Sequence, residues 1–392
     1  MDRSQWSKMV SGPLAEFEVA FRAELERTGY TPSSVGAAIS VMGQLSGWMQ
    51  RNGVGAEMLS PAVLQALPLG LRGTRPVVRF LRDCGAIPEA SCVDGAGPVG
   101  LLVAEFREWL AGERGLAAET VRCYGNHAHT FLAWLGEPLE QVLAGLEAGT
   151  VTTFMVEHCE QVSCANAKAS VTALRALLRF LHLTGHVPTG LAGAVPAVAG
   201  WRQATLPRGL EAGQAERLLA GCDRSTDVGR RDFAVLMLLA QLGLRGAEVA
   251  ALDLGDIDWH AGEIVVHGKA ARLDRLPLPV AAGEALAGYL TEGRPRCEDG
   301  AVFITARAPH RPITGGCVRA IMARACERAG LPRLGAHRLR HALASDLLRS
   351  GSSLAEVGQV LRHRSALATS VYAKVDERSL AALVRTWPGG VR

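Results

Sequence analysis

Residues 337–350 read His-Arg-Leu-Arg-His-Ala-Leu-Ala-Ser-Asp-Leu-Leu-Arg-Ser, with the apolar spacing of a helix. Leucines recur every four residues from Leu339 and predict one buried face. His337 and Arg340 are three residues apart and share another face of such a helix. Basic side chains in a first helical turn oppose the helix dipole, which favours an anion bound at this end. A solvated basic helix start is the alternative interpretation.

The composition is that of a helical globular protein. Hydrophobic residues make up 48 % of the 392 residues and charged residues 20 %. The nine cysteines are scattered without a Cys-x-x-Cys pair, so neither a disulfide framework nor a zinc site is expected. A reducing cytoplasm is the expected location. No apolar run approaches the roughly 18 residues that cross a bilayer, so no membrane association is expected.

Positive charge is concentrated in the second half of the chain. Residues 207–392 carry 26 Lys and Arg against 20 Asp and Glu, whereas residues 1–206 carry 16 against 18. The planar guanidinium of arginine suits phosphate oxygens, so the excess is compatible with a nucleic-acid partner. A GC-rich genome also enriches arginine, and the charge alone leaves DNA binding open.

The first half contains an internal repeat. The Gly-to-Trp spacing is the same in 29–48 and 115–134, and the Arg-to-Pro spacing is the same in 79–88 and 179–188. Matching Gly, Trp and Pro positions favour duplication of one helical unit over a chance likeness between Leu/Ala-rich helices. The glycines at 85 and 185 follow apolar helices and predict left-handed helix ends.

Periodicity predicts helices through most of the remaining chain and one small sheet. Alternating residues predict strands at 263–267 and 272–279, joined as a hairpin by the turn 268–271. The segment 189–205 is rich in Gly, Ala and Pro and reads as a linker. The predicted helices are 166–183, 230–243, 281–291, 315–329, 337–350, 353–362, 365–374 and 379–387.

Two motifs precede the His-Arg-Leu-Arg-His segment. Arg245 stands in Gly-Leu-Arg-Gly-Ala-Glu (243–248), where a salt bridge with Glu248 accounts for the pair without any function. Lys269 stands in Gly-Lys-Ala-Ala-Arg-Leu-Asp-Arg-Leu-Pro-Leu (268–278), at the predicted hairpin turn. An exposed basic hairpin tip is common, so neither motif is specific alone.

One motif follows it. His363 and Tyr372 belong to Leu-Arg-His-Arg-Ser-Ala-Leu-Ala-Thr-Ser-Val-Tyr (361–372). A tyrosine in an amphipathic helix normally packs in a core, and a phenol with a pKa of about 10 needs nearby cations to act as a nucleophile. Together, two arginines, two histidines, a lysine and a tyrosine could bind a phosphodiester, attack it and protonate the leaving group.

These motifs, in this order, resemble those of the tyrosine recombinases, the phage-integrase-type site-specific recombinases, over about residues 96–392. The resemblance implies that Arg245 and Arg340 hold the scissile phosphate. It implies that Glu248 orients Arg245, that His341 has a supporting or structural role, and that His337 carries a proton. Six catalytic residues follow from it: Arg245, Lys269, His337, Arg340, His363 and Tyr372.

Two positions depart from the family pattern. Ala270 replaces a frequent glycine after the lysine, and Arg362 stands where the family usually has the glycine of Leu-Gly-His. The first could stiffen the hairpin turn, and the second bears on the geometry of the turn before His363. The resemblance further implies that Lys269 is the general acid and Tyr372 the nucleophile that forms a 3′-phosphotyrosine.

The fold that the resemblance implies is mainly α. We expect an extra helical domain (1–95), a helical core-binding domain of SAM-like type (96–188), the linker, and a mostly α catalytic domain with a small antiparallel sheet (206–392). The extra domain could bind an accessory DNA site, lengthen the core contact or dock a neighbouring subunit. Helix 379–387 is expected to dock in a neighbour rather than on its own domain.

The implied partner is double-stranded DNA with an inverted-repeat core site, bound by a dimer and joined in a tetramer through a Holliday junction. No metal, ATP or other cofactor is expected, because phosphotyrosine preserves the energy of the broken bond. An integrase or transposase of a mobile element is the favoured interpretation. A type IB topoisomerase-like enzyme and a non-catalytic DNA-binding regulator are the alternatives. Candidate phosphate contacts are Arg122, Lys168, Arg175, Arg179, Arg272 and Arg275.

Overall fold

The structure, a computed structural model, describes residues 10–59, 63, 73–87, 97–199, 210–211, 213–268, 272–363, 369 and 372. The chain forms two compact units, Met1–Phe21 with Gly36–Arg202 and Arg22–Val35 with Gln203–Arg392. Lys269, helix 379–387 and most of predicted helix 365–374 lie outside the described residues. Within the described part, no helix is both long and apolar enough to span a membrane.

The chain before residue 200 is helical wherever it has regular structure in the described ranges. Helix α8 begins after Ser163, whose side chain accepts a hydrogen bond from the Asn166 amide at 3.3 Å, as an N-cap does. The predicted helix 166–183 is therefore confirmed, with a start two residues earlier. The helices are α1 (Glu18–Arg27), α2 (Pro32–Asn52), α3 (Arg75–Asp83), α4 (Pro98–Gly112), α5 (Ala118–Leu135), α6 (Leu139–Ala144), α7 (Ala148–Gln161) and α8 (Cys164–Leu183).

Helices α3 and α8 end in the same way. Gly85 and Gly185 have φ angles of +74° and +81°, so the predicted left-handed ends are confirmed. In both, the amide two residues after the glycine donates to the carbonyl four residues before it, at 3.1 Å. Phe80 on α3 packs against Phe21 at 5.1 Å between ring centroids, and Phe180 on α8 packs against Phe106 at 5.5 Å. The two sequence copies thus share a turn and an aromatic pair.

The second unit contains seven further helices among its described residues. Helix α10 begins at Asp227 because Thr226 caps it, accepting a hydrogen bond from the Gly229 amide at 3.1 Å. This start precedes the predicted one by three residues. The helices are α9 (Gln214–Ala220), α10 (Asp227–Gln241), α11 (Gly246–Ala250), α12 (Val280–Glu292), α13 (Gly315–Arg328), α14 (His337–Arg349) and α15 (Leu354–Val360).

One antiparallel sheet, ordered β1-β2-β3, accompanies these helices. The predicted hairpin is present as β2 (Glu263–His267) and β3 (Leu273–Pro277), in a register that pairs Val265 with Arg275. The strand β1 (Ile257–Asp258) was not predicted, because two residues are too short to show alternation. The expected mainly α fold with a small antiparallel sheet is confirmed.

The core of the second unit is built around α10. The buried side chains of α10 contact those of α12, α13 and α14, with Leu339 from α14 among them at 2 % exposure. A separate small cluster joins α14 to α15 through Ala344, Leu348, Val357 and Leu361, and it includes Tyr372. The predicted apolar face of 337–350 therefore divides between two cores, and α14 connects them.

Candidate active site

The first candidate arginine lies at the start of α11. Glu248 accepts hydrogen bonds from the Arg245 backbone amide at 2.8 Å and from Arg245 Nη1 at 2.7 Å. The carboxylate is 6 % exposed, whereas the Arg245 side chain is 43 % exposed. Burial pushes the pKa of Glu248 up, but the Arg245 amide and the charges of Arg362 and Arg245 outweigh it and hold the pKa below its usual value. The carboxylate therefore stays ionised beneath an accessible guanidinium.

Arg362 makes a second contact with the same carboxylate. Its Nη2 donates to Glu248 Oε2 at 2.9 Å across 114 residues of sequence, and its side chain is 4 % exposed. The turn that carries it follows α15 and is closed by the His363 amide, which donates to the Gly358 carbonyl at 2.9 Å. Arg362, which stands in place of the usual glycine of Leu-Gly-His, is thus a second arginine bound to the carboxylate that holds Arg245.

Arg340 bridges the segments that carry the other candidates. From the first turn of α14, its Nη1 donates to the carbonyl of Gly243 and its Nη2 to that of Leu361. The residue is 3 % exposed. Burial, followed by the charges of Arg245 and Arg362, lowers the pKa of Arg340 to about 10. The guanidinium remains charged at neutral pH. The two carbonyls that it binds, those of Leu361 and Gly243, lie two residues before His363 and two residues before Arg245.

Tyr372 lies against two histidines. Its hydroxyl is 2.7 Å from His341 Nδ1, and its ring stacks on that of His363, with 6.2 Å between centroids and 2° between planes. The residue is 1 % exposed. Burial raises the pKa of Tyr372, while the charge of Arg340 acts in the opposite direction. The hydroxyl therefore keeps its proton at neutral pH, with an imidazole nitrogen in hydrogen-bond contact.

His363 and His337 flank this arrangement. His363 Nδ1 is 2.8 Å from the hydroxyl of Thr369, which leaves the other ring nitrogen for a further partner. Burial, then the charges of Arg340 and Arg245, lower its pKa to about 4. The same three causes lower the pKa of His337, whose ring lies 6.4 Å from that of His341. Both imidazoles are neutral at neutral pH and can accept a proton.

The structure thus brings five of the six predicted catalytic residues into one contiguous network, and the sixth, Lys269, lies outside the described residues. Two contacts escaped sequence reasoning. His341, expected to support the site, is the residue in direct hydrogen-bond contact with Tyr372. Arg362, noted only as a departure, contacts Glu248. The four-residue spacing of His337 and His341 on α14 was the only sequence signal for the first.

The candidate phosphate contacts are surface residues, most of them engaged locally. Arg122 contacts Glu119, Arg272 contacts Asp274 and Arg275 contacts Glu263, with bonds of 2.7–2.9 Å. Arg175 donates to the Val195 carbonyl at 2.8 Å and is half-buried. Lys168 and Arg179 are exposed on α8. Their role in DNA binding stays a prediction.

Comparisons with known proteins assign the family. The model of the phage integrase family matches residues 208–379. The chain is 36 % identical to the protein named "Putative integrase/recombinase y4rA" of Sinorhizobium fredii (strain NBRC 101917 / NGR234), over 98 % of this chain and 97 % of that protein. The chain belongs to the phage integrase family. A tyrosine recombinase XerC from Azotobacter vinelandii is 31 % identical over 71 % of this chain and 92 % of its own length.

The chain is thus a tyrosine recombinase, an enzyme that cleaves and rejoins DNA in site-specific recombination. The fold of the family is also found in solved structures. XerH bound to its palindromic difH substrate has a TM-score of 0.58 at 20 % identity, covering 76 % of this chain and 88 % of that one. A lambda integrase tetramer bound to a Holliday junction has a TM-score of 0.52 at 16 % identity, covering 82 % and 88 %. The full-length match to y4rA also spans nearly all of residues 1–95.

Proposed function

We propose that this tyrosine recombinase exchanges DNA strands through a 3′-phosphotyrosine on Tyr372 and a Holliday junction, without metal or ATP. One observation carries the proposal: Tyr372, His341, His363, Arg340 and Arg245 are linked by side-chain contacts and short backbone steps although they span 128 sequence positions. A structural salt bridge accounts for Arg245 with Glu248, but not for a buried tyrosine set between two neutral imidazoles beside a buried arginine.

The chemical step is a transesterification. The Tyr372 oxygen forms a bond to the scissile phosphorus while the bond from phosphorus to the 5′ oxygen breaks. The phenolic proton passes to His341, which already lies 2.7 Å from the hydroxyl, or to His337 beside it. Lys269 supplies the proton that the departing 5′ oxygen takes up. The 5′ hydroxyl of another DNA strand then attacks the phosphotyrosine and releases Tyr372. The DNA strands are therefore rejoined without an external energy source.

The arginines stabilise the charge that develops in this step. The exposed fraction of Arg245 leaves its guanidinium accessible to a phosphate, and Arg340 has donors left beyond the two that hold the carbonyls of Gly243 and Leu361. Five N–H groups per guanidinium allow both functions. Donors that are fixed before the substrate arrives contribute most to such stabilisation, roughly 10²–10³ in rate for each.

The substrate we propose is duplex DNA with an inverted-repeat core site, bound by two copies of the chain, with four copies in the synapse. The similar fold of XerH on difH DNA and of a lambda integrase tetramer on a Holliday junction supports this assembly. The proposed phosphate contacts are Arg122 on α5, Lys168, Arg175 and Arg179 on α8, Arg272 just before β3, and Arg275 on β3. The same proposal divides the chain into domains at residues 95, 188 and 205. It also has the enzyme act in the cytoplasm, where it integrates or transposes a mobile element.

Trapping the covalent intermediate tests the proposal. Duplexes bound by the full chain are selected from a random pool, and the consensus is rebuilt with a nick beside the cleavage position, so that the released fragment diffuses away. The wild type is expected to accumulate a protein–DNA adduct, and Tyr372→Phe none. Tyr289→Phe is the matched control, because Tyr289 is equally buried and its hydroxyl accepts a hydrogen bond from the Ile304 amide at 3.1 Å.

Three outcomes would overturn the proposal. An undiminished adduct in Tyr372→Phe would remove Tyr372 as the nucleophile. Relaxation of supercoiled DNA at any sequence, with no Holliday junction between two selected sites, would place the chain with topoisomerase-like chemistry instead. A selected duplex that the wild type binds but never cleaves would point to a DNA-binding regulator.

A further inference from the structure

Arg362 occupies a backbone position that suits glycine. Its φ is +54°, and every other residue with a positive φ in the described part of the chain is a glycine. A side chain in the left-handed region is strained because its Cβ approaches the following carbonyl oxygen. Such strain persists when the surroundings hold it in place, and it occurs often at functional sites. The usual glycine of Leu-Gly-His would remove this strain.

The side chain of Arg362 adds a second unfavourable feature. It is 4 % exposed, and its Nε and Nη1 have no hydrogen-bond partner. Burying a charge with unsatisfied donors is unfavourable unless the remaining contact compensates. That contact is the bond from Nη2 to Glu248 Oε2 at 2.9 Å. A residue with a strained backbone and a poorly solvated charge is retained more readily for function than for stability.

Glu248 passes the effect of Arg362 to the phosphate-binding arginine. Oε2 accepts from both Arg362 and the Arg245 backbone amide, while Oε1 accepts from the Arg245 guanidinium at 2.7 Å. A glutamate carboxylate held at one oxygen by two donors cannot rotate freely about the Cγ–Cδ bond. The other oxygen, and the guanidinium that it binds, are therefore fixed in direction.

We propose that Arg362 is a positioning residue of the DNA-cleaving site, which holds the Glu248 carboxylate so that Arg245 is aimed at the scissile phosphodiester before DNA binds. The inference rests on the proposed function, because Arg245 needs this aim only if it meets a phosphate. It assigns Arg362 no contact with DNA. The positive charge of Arg362 also helps to keep Glu248 ionised.

The substitution Arg362→Gly separates positioning from folding. Glycine accepts the positive φ, and the change deletes the buried guanidinium together with its unsatisfied donors. We expect the melting temperature to stay the same or rise, while the cleavage rate at saturating DNA falls by about 10–100-fold, as misplacement of a binding group by an ångström can cause. The Kd for DNA is expected to change much less than the rate.

Arg362→Lys and Arg349→Ala complete the set. Lysine keeps a positive charge that can reach Glu248, and we expect it to restore part of the lost rate. Arg349 is an exposed arginine paired with Asp346 at 2.7 Å, so its replacement should leave cleavage unchanged. The acid limb of the cleavage rate should move to higher pH in Arg362→Gly, because Glu248 then takes up a proton more readily.

The readouts are the single-turnover rate on the nicked duplex between pH 5 and 8, the melting temperature, and the titration of the Glu248 carboxyl carbon by NMR, assigned with Glu248→Gln. Wild-type cleavage by Arg362→Gly at every pH would overturn the inference, as would a loss of rate that follows the loss of folded protein. If the wild type forms no adduct on any selected DNA but the Glu248 titration still moves in Arg362→Gly, the proposed function fails and the control of Glu248 by Arg362 stands. If the wild type cleaves and that titration does not move, the inference alone fails.

Discussion

Charge is buried in the region that carries the candidate site and lies on the surface in the helical region before it. The buried charged residues of the described chain are Arg231, Asp232, Glu248, Arg340 and Arg362, all beyond residue 230. In the helical stretch 97–199 the buried polar side chain is a serine hydroxyl. A buried charge is costly unless it is paired or used. Arg231 and Asp232 pair with each other at 2.8 Å, and the other three buried charges belong to the candidate site.

The charged side chains of the helical region lie on the surface rather than in the core. The pair of Arg122 with Glu119 is typical, with side chains 57 % and 71 % exposed. Exposed pairs contribute little to stability and exchange partners readily. In the proposed function such side chains neutralise phosphates of the bound DNA, whereas the guanidinium of Arg340 is held in direction by two backbone carbonyls. The two regions therefore suit different tasks, sequence-tolerant holding and positioned chemistry.

The largest expected effect comes from breaking the buried region at Arg340. We expect Arg340→Ala to lower the single-turnover cleavage rate by about 10²–10³, the loss seen when one preorganised donor is removed. Arg340→Lys should recover little, because one ammonium cannot span the carbonyls of Gly243 and Leu361 as a planar guanidinium does. The measurement is adduct formation on the nicked duplex at saturating DNA.

The control for the Arg340 variants is Arg349→Ala, because Arg349 lies on the same helix but is exposed. Equal losses in the two variants would show that the rate depends on general charge rather than on the buried position. Circular dichroism of both variants separates a loss of rate from a loss of folded protein.

Acid provides the second test of the buried region. The pKa of His363 is lowered to about 4 from an ordinary 6.5, so between these values the unfolded chain binds a proton that the folded chain refuses. Stability therefore falls as the pH drops from about 6.5 towards 4, and it is fully present above that window. The pKa values of His337 and His341 are shifted in the same direction and add to the effect.

Urea denaturation at several pH values measures this slope. His363→Asn should flatten it, and replacement of the exposed His129 in the helical region should not. A free energy of unfolding that stays constant from pH 7 to pH 4.5 would contradict the burial of these imidazoles.

A smaller effect is expected at the one buried polar group of the helical stretch. Ser170 Oγ lies 3.0 Å from His127 Nδ1 and 2.9 Å from His158 Nε2. Ser170→Ala leaves two half-buried imidazoles without this partner, so we expect a loss of about 1–2 kcal/mol in the free energy of unfolding. The cleavage rate at saturating DNA should be unchanged, because the cluster packs α5, α7 and α8 together and touches no reacting group.

Thermal melting and the single-turnover rate measure the two quantities separately. The comparison between regions would fail if Ser170→Ala slowed cleavage as strongly as it lowered stability. Thr172→Ala on the exposed face of α8 is the matched control.

The smallest effect is expected from Arg122→Ala. The exposed pair with Glu119 contributes little to folding, so the unfolding midpoint should not move measurably. If Arg122 contacts a phosphate, DNA affinity should fall a few-fold and the slope of log K against log salt should fall by about one. Filter binding across a salt series measures both, with Glu119→Ala as the control of opposite sign. An unchanged salt slope would remove Arg122 from the contacts.

Sequence periodicity predicted the hairpin and the helices α8, α10, α12, α13, α14 and α15, because those patterns repeat over neighbouring residues. The pair of Arg245 with Glu248 was also predictable, since three residues separate them. Contacts between distant segments were not. The bond from Arg362 to Glu248 crosses 114 positions, and the contact of His341 with Tyr372 crosses 31. No local spacing encodes such pairs, and only the folded chain shows which arginines are buried.

The shared Glu248 carboxylate also has a consequence for protein synthesis. At about 5–20 residues per second, the ribosome needs roughly 6–23 s to add the residues that separate Glu248 from Arg362. Until then Arg245 can pair with Glu248, but the bond from Arg362 to Glu248 cannot form. Arg340 likewise cannot yet join the Gly243 carbonyl to that of Leu361. A nascent chain therefore holds the first half of the proposed phosphate-binding site well before it can assemble the rest.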